Sequence, residues 1–295
     1  IGTNIFARCV ACSVPPTTGL LAAWNASTGV YADATNQTNR YIVSNGIVTD
    51  SFTGIQWQQN ASTTAMNWTD AQRYCANQTT GSLSGWRVPN IGELGTLVDY
   101  TARSPYVNTT AFPSMPASNF WSASSDIGMA SYSWYLFFSG YARTYSQTTG
   151  TSSLVRCVRS CYKLPLSIRY IVGTGRNTGT VIDSVTGLTW QKLAPATTYT
   201  QSGAAGYCSS LILGGFTSNW RLPTIKELQT LVDYSVSQNS LIMDSVFSGE
   251  RVNWYWSSTP WATSPANGWG IYFGYGSLDE YGPPGQIYVR CVRNG

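Results

Sequence analysis

The chain contains itself twice. Val48-Thr49-Asp50-Ser51-Phe52-Thr53-Gly54-Ile55-Gln56-Trp57-Gln58 returns as Val181-Ile182-Asp183-Ser184-Val185-Thr186-Gly187-Leu188-Thr189-Trp190-Gln191. Tyr74-Cys75 returns as Tyr207-Cys208, and Trp86-Arg87-Val88-Pro89 as Trp220-Arg221-Leu222-Pro223. Leu97-Val98-Asp99-Tyr100 returns as Leu231-Val232-Asp233-Tyr234, Trp121-Ser122 as Trp256-Ser257, and Arg156-Cys157-Val158-Arg159 as Arg290-Cys291-Val292-Arg293. The offset stays between 133 and 135 from end to end. A period this long exceeds any solenoid unit and describes two tandem globular domains, each large enough to bury its own core. The expected organisation is an extended leader over 1–20, repeat 1 over 21–160, a linker over 161–167 and repeat 2 over 168–295.

The cysteines follow the repeat. Cys75 and Cys157 stand 82 residues apart, and Cys208 and Cys291 stand 83 apart. One pair in the same slots of each repeat reads as one intradomain disulfide each, with two buried thiols per domain as the alternative. Disulfides place a chain outside the cytosol, so an extracellular or cell-surface location is expected. The start at Ile1 is read as a mature form whose targeting segment has been removed. Cys9, Cys12 and Cys161 remain, an odd number. They are candidates for assembly: Cys161 pairs with Cys9 or Cys12 within the chain, or one of the three bonds to another chain. The leader's Ile5-Phe6-Ala7-Arg8-Cys9-Val10 is β-prone and suits strand addition to a neighbour, a route to a homo-polymer.

Composition excludes several chemistries. The chain has no His, which removes a Ser-His-Asp triad, a Cys-His dyad and His-ligated zinc or haem. The net charge of +4 is too small for a polyanion binder driven by bulk charge, so no nucleic-acid partner is expected. No apolar run approaches the roughly 20 residues of a membrane helix. Asp279-Glu280 are the only adjacent acids, so the carboxylates that a calcium cage needs are missing. Neither a metal nor a cofactor is expected, and an enzyme is not.

Local patterns give each repeat two helices and a β-rich half. Thr69-Asp70-Ala71-Gln72 has the capping-box pattern and predicts a helix through Cys75; Thr224-Ile225-Lys226-Glu227 predicts a second type of helix, matched in repeat 1 by Asn90 and Glu93. Phe120-Trp121-Ser122, Tyr135-Leu136-Phe137-Phe138 and Leu154-Val155-Arg156-Cys157-Val158 read as strands between Ser/Thr/Gly loops. Arg221 is expected to pair with Glu227 or Asp233, and Arg290 and Arg293 are read as structural.

Gly187-Leu188-Thr189-Trp190-Gln191, Tyr207-Cys208, Trp220 through Leu228, Tyr255 through Thr259 and Val289 through Arg293 together resemble the Lcl C-terminal domain family. That family is named for the C-terminal domain of a bacterial collagen-like adhesin. Repeat 2 matches over roughly 170–293. Repeat 1 matches more loosely, with Ile55 and Val88 in place of Leu, Asn90 in place of Thr and Ala123 in place of Ser. The resemblance implies a C-type-lectin-like fold in a secreted or surface-attached bacterial protein, and, for its best-known members, adhesion to sulfated glycans. The expected fold class is therefore α+β: two tandem C-type-lectin-like domains, each with two helices and a long-loop β half closed by one disulfide.

Residues that differ between the repeats are the candidates for function, because the fold needs only what both copies share. Repeat 2 adds Trp254, Trp261, Tyr275 and Tyr281; repeat 1 has Asn119, Asp126 and Gly140 at the slots of the first three and adds Tyr141 and Tyr145 around Arg143. Flat aromatic faces suit sugar rings and protein interfaces alike. The expected function is a non-enzymatic adhesin or lectin-like module whose glycan recognition is calcium-independent. The alternative is a structural subunit of an extracellular fibre. Six Asn-x-Ser/Thr triplets, at Asn25, Asn36, Asn60, Asn67, Asn77 and Asn108, all fall in repeat 1 and read as compositional or as glycosylation sites.

Overall fold

The computed structural model describes residues 39–126, 128–138, 145–159, 169–234, 243–249, 251–274 and 276–295; at 24–25, 30–31 and 143–144 it describes the backbone alone. Cys9, Cys12, Cys161, Tyr141 and Tyr275 lie outside the described residues. A short antiparallel pair, β1 (Trp24–Asn25) with β2 (Val30–Tyr31), comes first. Repeat 1 then runs β3 (Tyr41–Ser44), β4 (Ile47–Asp50), β5 (Gln56–Gln58), α1 (Trp68–Ala76), α2 (Ile91–Thr96), β6 (Asn119–Ser125), β7 (Tyr132–Phe137), β8 (Arg143–Thr148) and β9 (Val158–Arg159). Repeat 2 follows the same order with β10 (Tyr170–Val172), β11 (Thr180–Asp183), β12 (Leu188–Gln191), α3 (Gln201–Ser209), α4 (Ile225–Gln229), β13 (Trp254–Trp261), β14 (Ser264–Tyr272), β15 (Ser277–Tyr281) and β16 (Val292–Asn294).

Each repeat holds two antiparallel sheets. Four strands run in the order β3-β4-β5-β9 or β10-β11-β12-β16, and three in the order β6-β7-β8 or β13-β14-β15. The last strand of each repeat returns to pair with β5 or β12, which closes the unit between its two chain ends. The repeated Asp-Ser-x-Thr-Gly block is the turn between two of these strands. The Asp50 and Asp183 carboxylates accept from Phe52 N–H and Val185 N–H, and their carbonyls accept from Gly54 N–H and Gly187 N–H at 2.8 Å. Gly54 and Gly187 have φ of 70° and 71°, a region where a side chain is strained, so Gly is required there.

This architecture overturns the expected α+β, C-type-lectin-like class. The described residues are mostly antiparallel sheet; the four α-helices span only nine, six, nine and five residues, and a C-type-lectin fold is not shown. The helices are short for local reasons. In α2 the hydroxyl of Thr96 donates to Glu93 O, and the same bond from Thr230 to Glu227 O ends α4, so the backbone leaves the helix within two turns. The capping boxes at Asn90/Glu93 and Thr224/Glu227 form as the pattern predicts. The start of α1 differs: its N-cap is Asn67, whose carboxamide accepts from Asp70 N–H and donates to the Asp70 carboxylate. Asn67 outcompetes Thr69 because its side chain satisfies the orphan N–H and the acid together.

Disulfides Cys75–Cys157 and Cys208–Cys291 join α1 and α3 to the segments entering β9 and β16, with Cα–Cα distances of 5.5 and 5.4 Å. The pairing expected from the repeat is the one observed. Buried Arg40 makes a two-pronged contact with Asp50 and donates to Thr96 O at 3.0 Å; Arg169 does the same with Asp183 and Thr230 O at 2.8 Å. A guanidinium on the last carbonyls of α2 or α4 satisfies a helix C-terminus. Burial works against the Arg40 charge, but Asp50 outweighs it and holds the pKa above the ordinary arginine value.

The two repeats share one core. A single cluster of buried side chains includes Trp57, Tyr100 and Trp134 of repeat 1 with Trp190, Tyr255 and Trp269 of repeat 2. Tyr100 packs edge-on against Trp269, with ring centroids 5.4 Å apart, and Tyr234 packs against Trp134 at 5.1 Å. Tyr100 and Tyr234 occupy equivalent slots, as do Trp134 and Trp269, so the contact is reciprocal in the way of a two-fold dimer interface. The symmetry is imperfect. Tyr100 donates its hydroxyl to Gln229, and buried Lys226 donates to Thr96 O at 3.4 Å; the slots equivalent to Gln229 and Lys226 in repeat 1 are Gly95 and Gly92.

Candidate binding surface of repeat 2

The charged pairs that recur in both repeats are framework. Arg87 grips Glu93 with two bonds of 2.7 and 2.6 Å, and Arg221 grips Glu227 with two of 2.7 Å. Each acid also accepts from the N-cap backbone of its helix, so the arginine anchors the capping box to the strand side of the fold. Arg156 is buried and donates to the carbonyls of Gln58 and Gln59; Arg290 is buried and donates to those of Gln191 and Lys192. Burial pushes both guanidinium pKa values down, to about 9. Among the described residues no cluster of three or more metal-ligating side chains occurs, and no helix is long and apolar enough to cross a membrane.

The aromatic candidates separate into three places. Trp254 and Tyr281 come together on one face of the β13-β14-β15 sheet, with ring centroids 5.2 Å apart, and Tyr272 joins Trp254 from the neighbouring strand at 5.3 Å. All three are half-buried, so part of each ring faces outward. The inner sides of Trp254 and Tyr281 pack on the buried cluster of repeat 2 that holds Trp220, Trp256 and Cys291. Trp261, at the far end of β13, packs against the core shared by the two repeats. In repeat 1, Tyr145 is 38% exposed and lies beside Tyr135 at 6.0 Å on β7 and β8. Arg143 lies in β8 opposite Phe137.

A Cβ on Gly268 would fall 2.0 Å from the Gln201 carboxamide, so this glycine makes room for the start of α3. A Cβ on Gly270 would press on Ile287 Cδ1 and Tyr255 O at 3.2 Å and reach only ordinary contact with Tyr281. The residues paired across from Tyr281 and Asp279 in β14 are these two glycines. The corresponding strand of repeat 1 carries Ser133 and Tyr135.

A cleft of about 570 Å³ opens in repeat 2, lined among others by Leu193, Pro195, Tyr207, Leu211, Leu213 and Arg251. Its size is that of small-ligand sites, and its walls are mainly apolar. The clearest contrast is with the same place in repeat 1. There Gln58 donates its amide to Gln78 Oε1 at 3.0 Å and Thr80 Oγ1 at 2.7 Å. In repeat 2 the equivalent Gln191 donates to Tyr207 OH at 2.8 Å, because Leu211 and Leu213 stand where Gln78 and Thr80 were. The equivalence is structural as well as numerical: Thr80 sits over Gly46 and Leu213 over Gly179, the paired glycines before β4 and β11.

The family model of the Lcl C-terminal domain matches the chain over residues 46–159 and again over 179–293. The chain belongs to the Lcl C-terminal domain family. No curated protein matches it. The two Lcl C-terminal domains begin just before β4 and β11, which leaves the edge strands β3 and β10 outside both matches.

Tyr272, Leu193, Leu211, Ile212 and Leu213 were not among the residues that the sequence singled out. The signal for the leucines was present: they are apolar where repeat 1 has Asn60, Gln78, Thr79 and Thr80. Tyr272 carried none, because its counterpart Phe137 is also aromatic.

Proposed function

We propose that this tandem Lcl C-terminal domain chain is a non-enzymatic, secreted or surface-attached module that binds glycans or matrix surfaces through repeat 2. The observation that carries this reading is the half-buried set Trp254, Tyr272 and Tyr281, which clusters on one sheet face of repeat 2, where repeat 1 has Asn119 and Phe137 at the slots of the first two. Partly exposed rings offer flat apolar faces to pyranose rings while their polar edges stay solvated. The recognition is calcium-independent on this reading, since Asp279-Glu280 are the only adjacent acids in the sequence. The two disulfides support an oxidising location. The test is a glycan array, sulfated glycans included, probed with the intact chain and with Trp254→Ala and Tyr281→Ala. Binding that falls at least tenfold in both variants supports the reading; binding that both variants retain in full sinks it, as does an array without any hit.

A second reading, a subunit of an extracellular homo-polymer, is favoured by the edges of the two four-stranded sheets. β3 and β10 are edge strands, and Ile42, Val43, Ile171 and Val172 on them are 55%, 44%, 50% and 39% exposed. An apolar free edge is a template for an added strand. Light scattering of the intact chain beside one lacking residues 1–14 tests it: larger species that vanish on truncation support assembly, and a monomer in both removes it.

A further inference from the structure

The six Asn-x-Ser/Thr triplets have no part in the binding reading, and the fold sorts them. Asn36 lies outside the described residues, as does the side chain of Asn25. Asn67 spends its carboxamide capping α1, its nitrogen donating to Asp70 at 2.8 Å. Asn108 accepts from Ala111 N–H at 2.9 Å. Asn60 is exposed, but the hydroxyl residue of its triplet, Ser62, is 3% exposed and accepts from Val155 N–H. Asn77-Gln78-Thr79 differs from all of these. Asn77 is the C-cap of α1, where the chain leaves the helix at φ −90°, and both Asn77 and Thr79 are exposed. No side-chain hydrogen bond of either residue is found among the described residues.

From this sorting we propose that Asn77 is an N-glycosylation site, and that it is the acceptor the folded chain offers among the four triplets at Asn60, Asn67, Asn77 and Asn108. An acceptor triplet must present its carboxamide nitrogen and its hydroxyl to a transferase together, and among these four only Asn77-Gln78-Thr79 has both residues exposed; Asn67 and Asn108 are half-buried and Ser62 is buried. The donor is an oligosaccharyl diphosphate, supplied with its transferase by the exporting cell. The Asn77 Nδ2 bonds to the anomeric carbon of the donor sugar. The bond from that carbon to the diphosphate oxygen breaks, its electron pair leaves with the diphosphate, and the proton lost by Nδ2 ends on the released diphosphate.

The site has a consequence for the two repeats. In repeat 2 the same stretch is Ser210-Leu211-Ile212, without the triplet, and Ile212 is 71% exposed beside the apolar cleft. A glycan on Asn77 covers the repeat 1 face equivalent to that cleft and leaves the repeat 2 face bare. The proposal rests on the extracytosolic placement above, not on sugar binding.

The test uses the chain purified from the cells that make it. Tandem mass spectrometry of its proteolytic peptides is expected to find glycan mass on the Asn77 peptide and bare peptides at Asn60, Asn67 and Asn108. Asn77→Gln, expressed in the same cells, is expected to lower the intact mass by the mass of the glycan found on the Asn77 peptide, with an unchanged near-UV spectrum. A bare Asn77 in extracellular material overturns the proposal while leaving the location standing. Glycan carried equally at Asn67 or Asn108 overturns it too, because modification would then precede folding and ignore the sorting.

Discussion

The two repeats solve the same folding problem and present different surfaces. Beneath α1, repeat 1 ties Gln58, Gln78 and Thr80 into a polar knot; beneath α3, repeat 2 lets Leu211 and Leu213 line an open cleft. The first backbone bond after each helix is the same, and the chains then diverge into a 3-10 turn at Thr80–Ser82 in repeat 1 and a Leu213–Phe216 bridge in repeat 2. Gln78 N–H reaches Cys75 O and Leu211 N–H reaches Cys208 O, each at 3.1 Å. Leu211 and Leu213 pack on one side against the buried cluster around Cys208, Trp220 and Trp256, and they also line the cleft. The part of each side chain that stays exposed there is apolar surface that repeat 1 does not present at the same place. The framework shows the opposite behaviour: the Arg–Asp, Arg–Glu and disulfide contacts repeat with almost unchanged distances.

The strongest way to break the comparison is to remove one disulfide at a time. Each closes a loop of 82 or 83 residues. Loop-closure entropy then assigns each about 4–5 kcal/mol of stability. Cys75→Ala/Cys157→Ala and Cys208→Ala/Cys291→Ala are expected to lower stability equally, in a single denaturant transition, because Tyr100, Trp134, Tyr234 and Trp269 join the cores. Two separate transitions would show that the shared core does not couple the repeats.

The next effect in size should divide the repeats. Arg40 and Asp50 are fully buried, whereas the Arg169 side chain is 26% exposed against a buried Asp183. Arg40→Ala leaves a buried carboxylate without its cation, at a cost of about 3–5 kcal/mol. Arg169→Ala is expected to cost at least about 1 kcal/mol less, since water reaches Asp183 once the guanidinium is gone. Equal losses in urea unfolding would mean that the exposure difference has no energetic content.

Alkaline pH separates them further. Burial raises the pKa of Tyr41 in repeat 1 and Tyr170 in repeat 2, and it pushes Tyr255 of repeat 2 up to about 12; the slot equivalent to Tyr255 is Phe120. A phenol whose pKa is higher folded than unfolded stabilises the fold below the unfolded value, near 10. That stability is lost as pH rises through the folded value. Tyr255→Phe is expected to remove roughly 2 kcal/mol of the loss between pH 10 and 12. Stability curves of wild type and variant that run parallel over this window would contradict it.

The smallest effect on stability carries the most about function. Leu211→Gln with Leu213→Thr gives repeat 2 the polar knot of repeat 1 and is expected to change stability by only about 1 kcal/mol, since both leucines are half-buried. Fluorescence of an environment-sensitive apolar dye should fall by more than half. Unchanged dye binding would place the accessible apolar surface elsewhere, on β3 or β10.

Sequence alone determined what short-range chemistry controls. The duplication, both disulfide pairs, the capping boxes at Glu93 and Glu227 and the Arg221–Glu227 grip could be read because each is a pattern of a few residues repeated in equivalent slots. Tertiary structure decided the rest. The mostly antiparallel architecture depends on which distant strands pair, such as β5 with β9 across about a hundred residues, and no local pattern encodes that choice. The same holds for the aromatic residues. Trp254 and Trp261 lie seven residues apart on one strand and so point to opposite faces, but what each face meets, the Tyr281 cluster or the shared core, is set by packing. Burial in a duplicated fold is set by what arrives from the other copy, and only packing reveals that Tyr100 and Tyr234 reach across to Trp269 and Trp134.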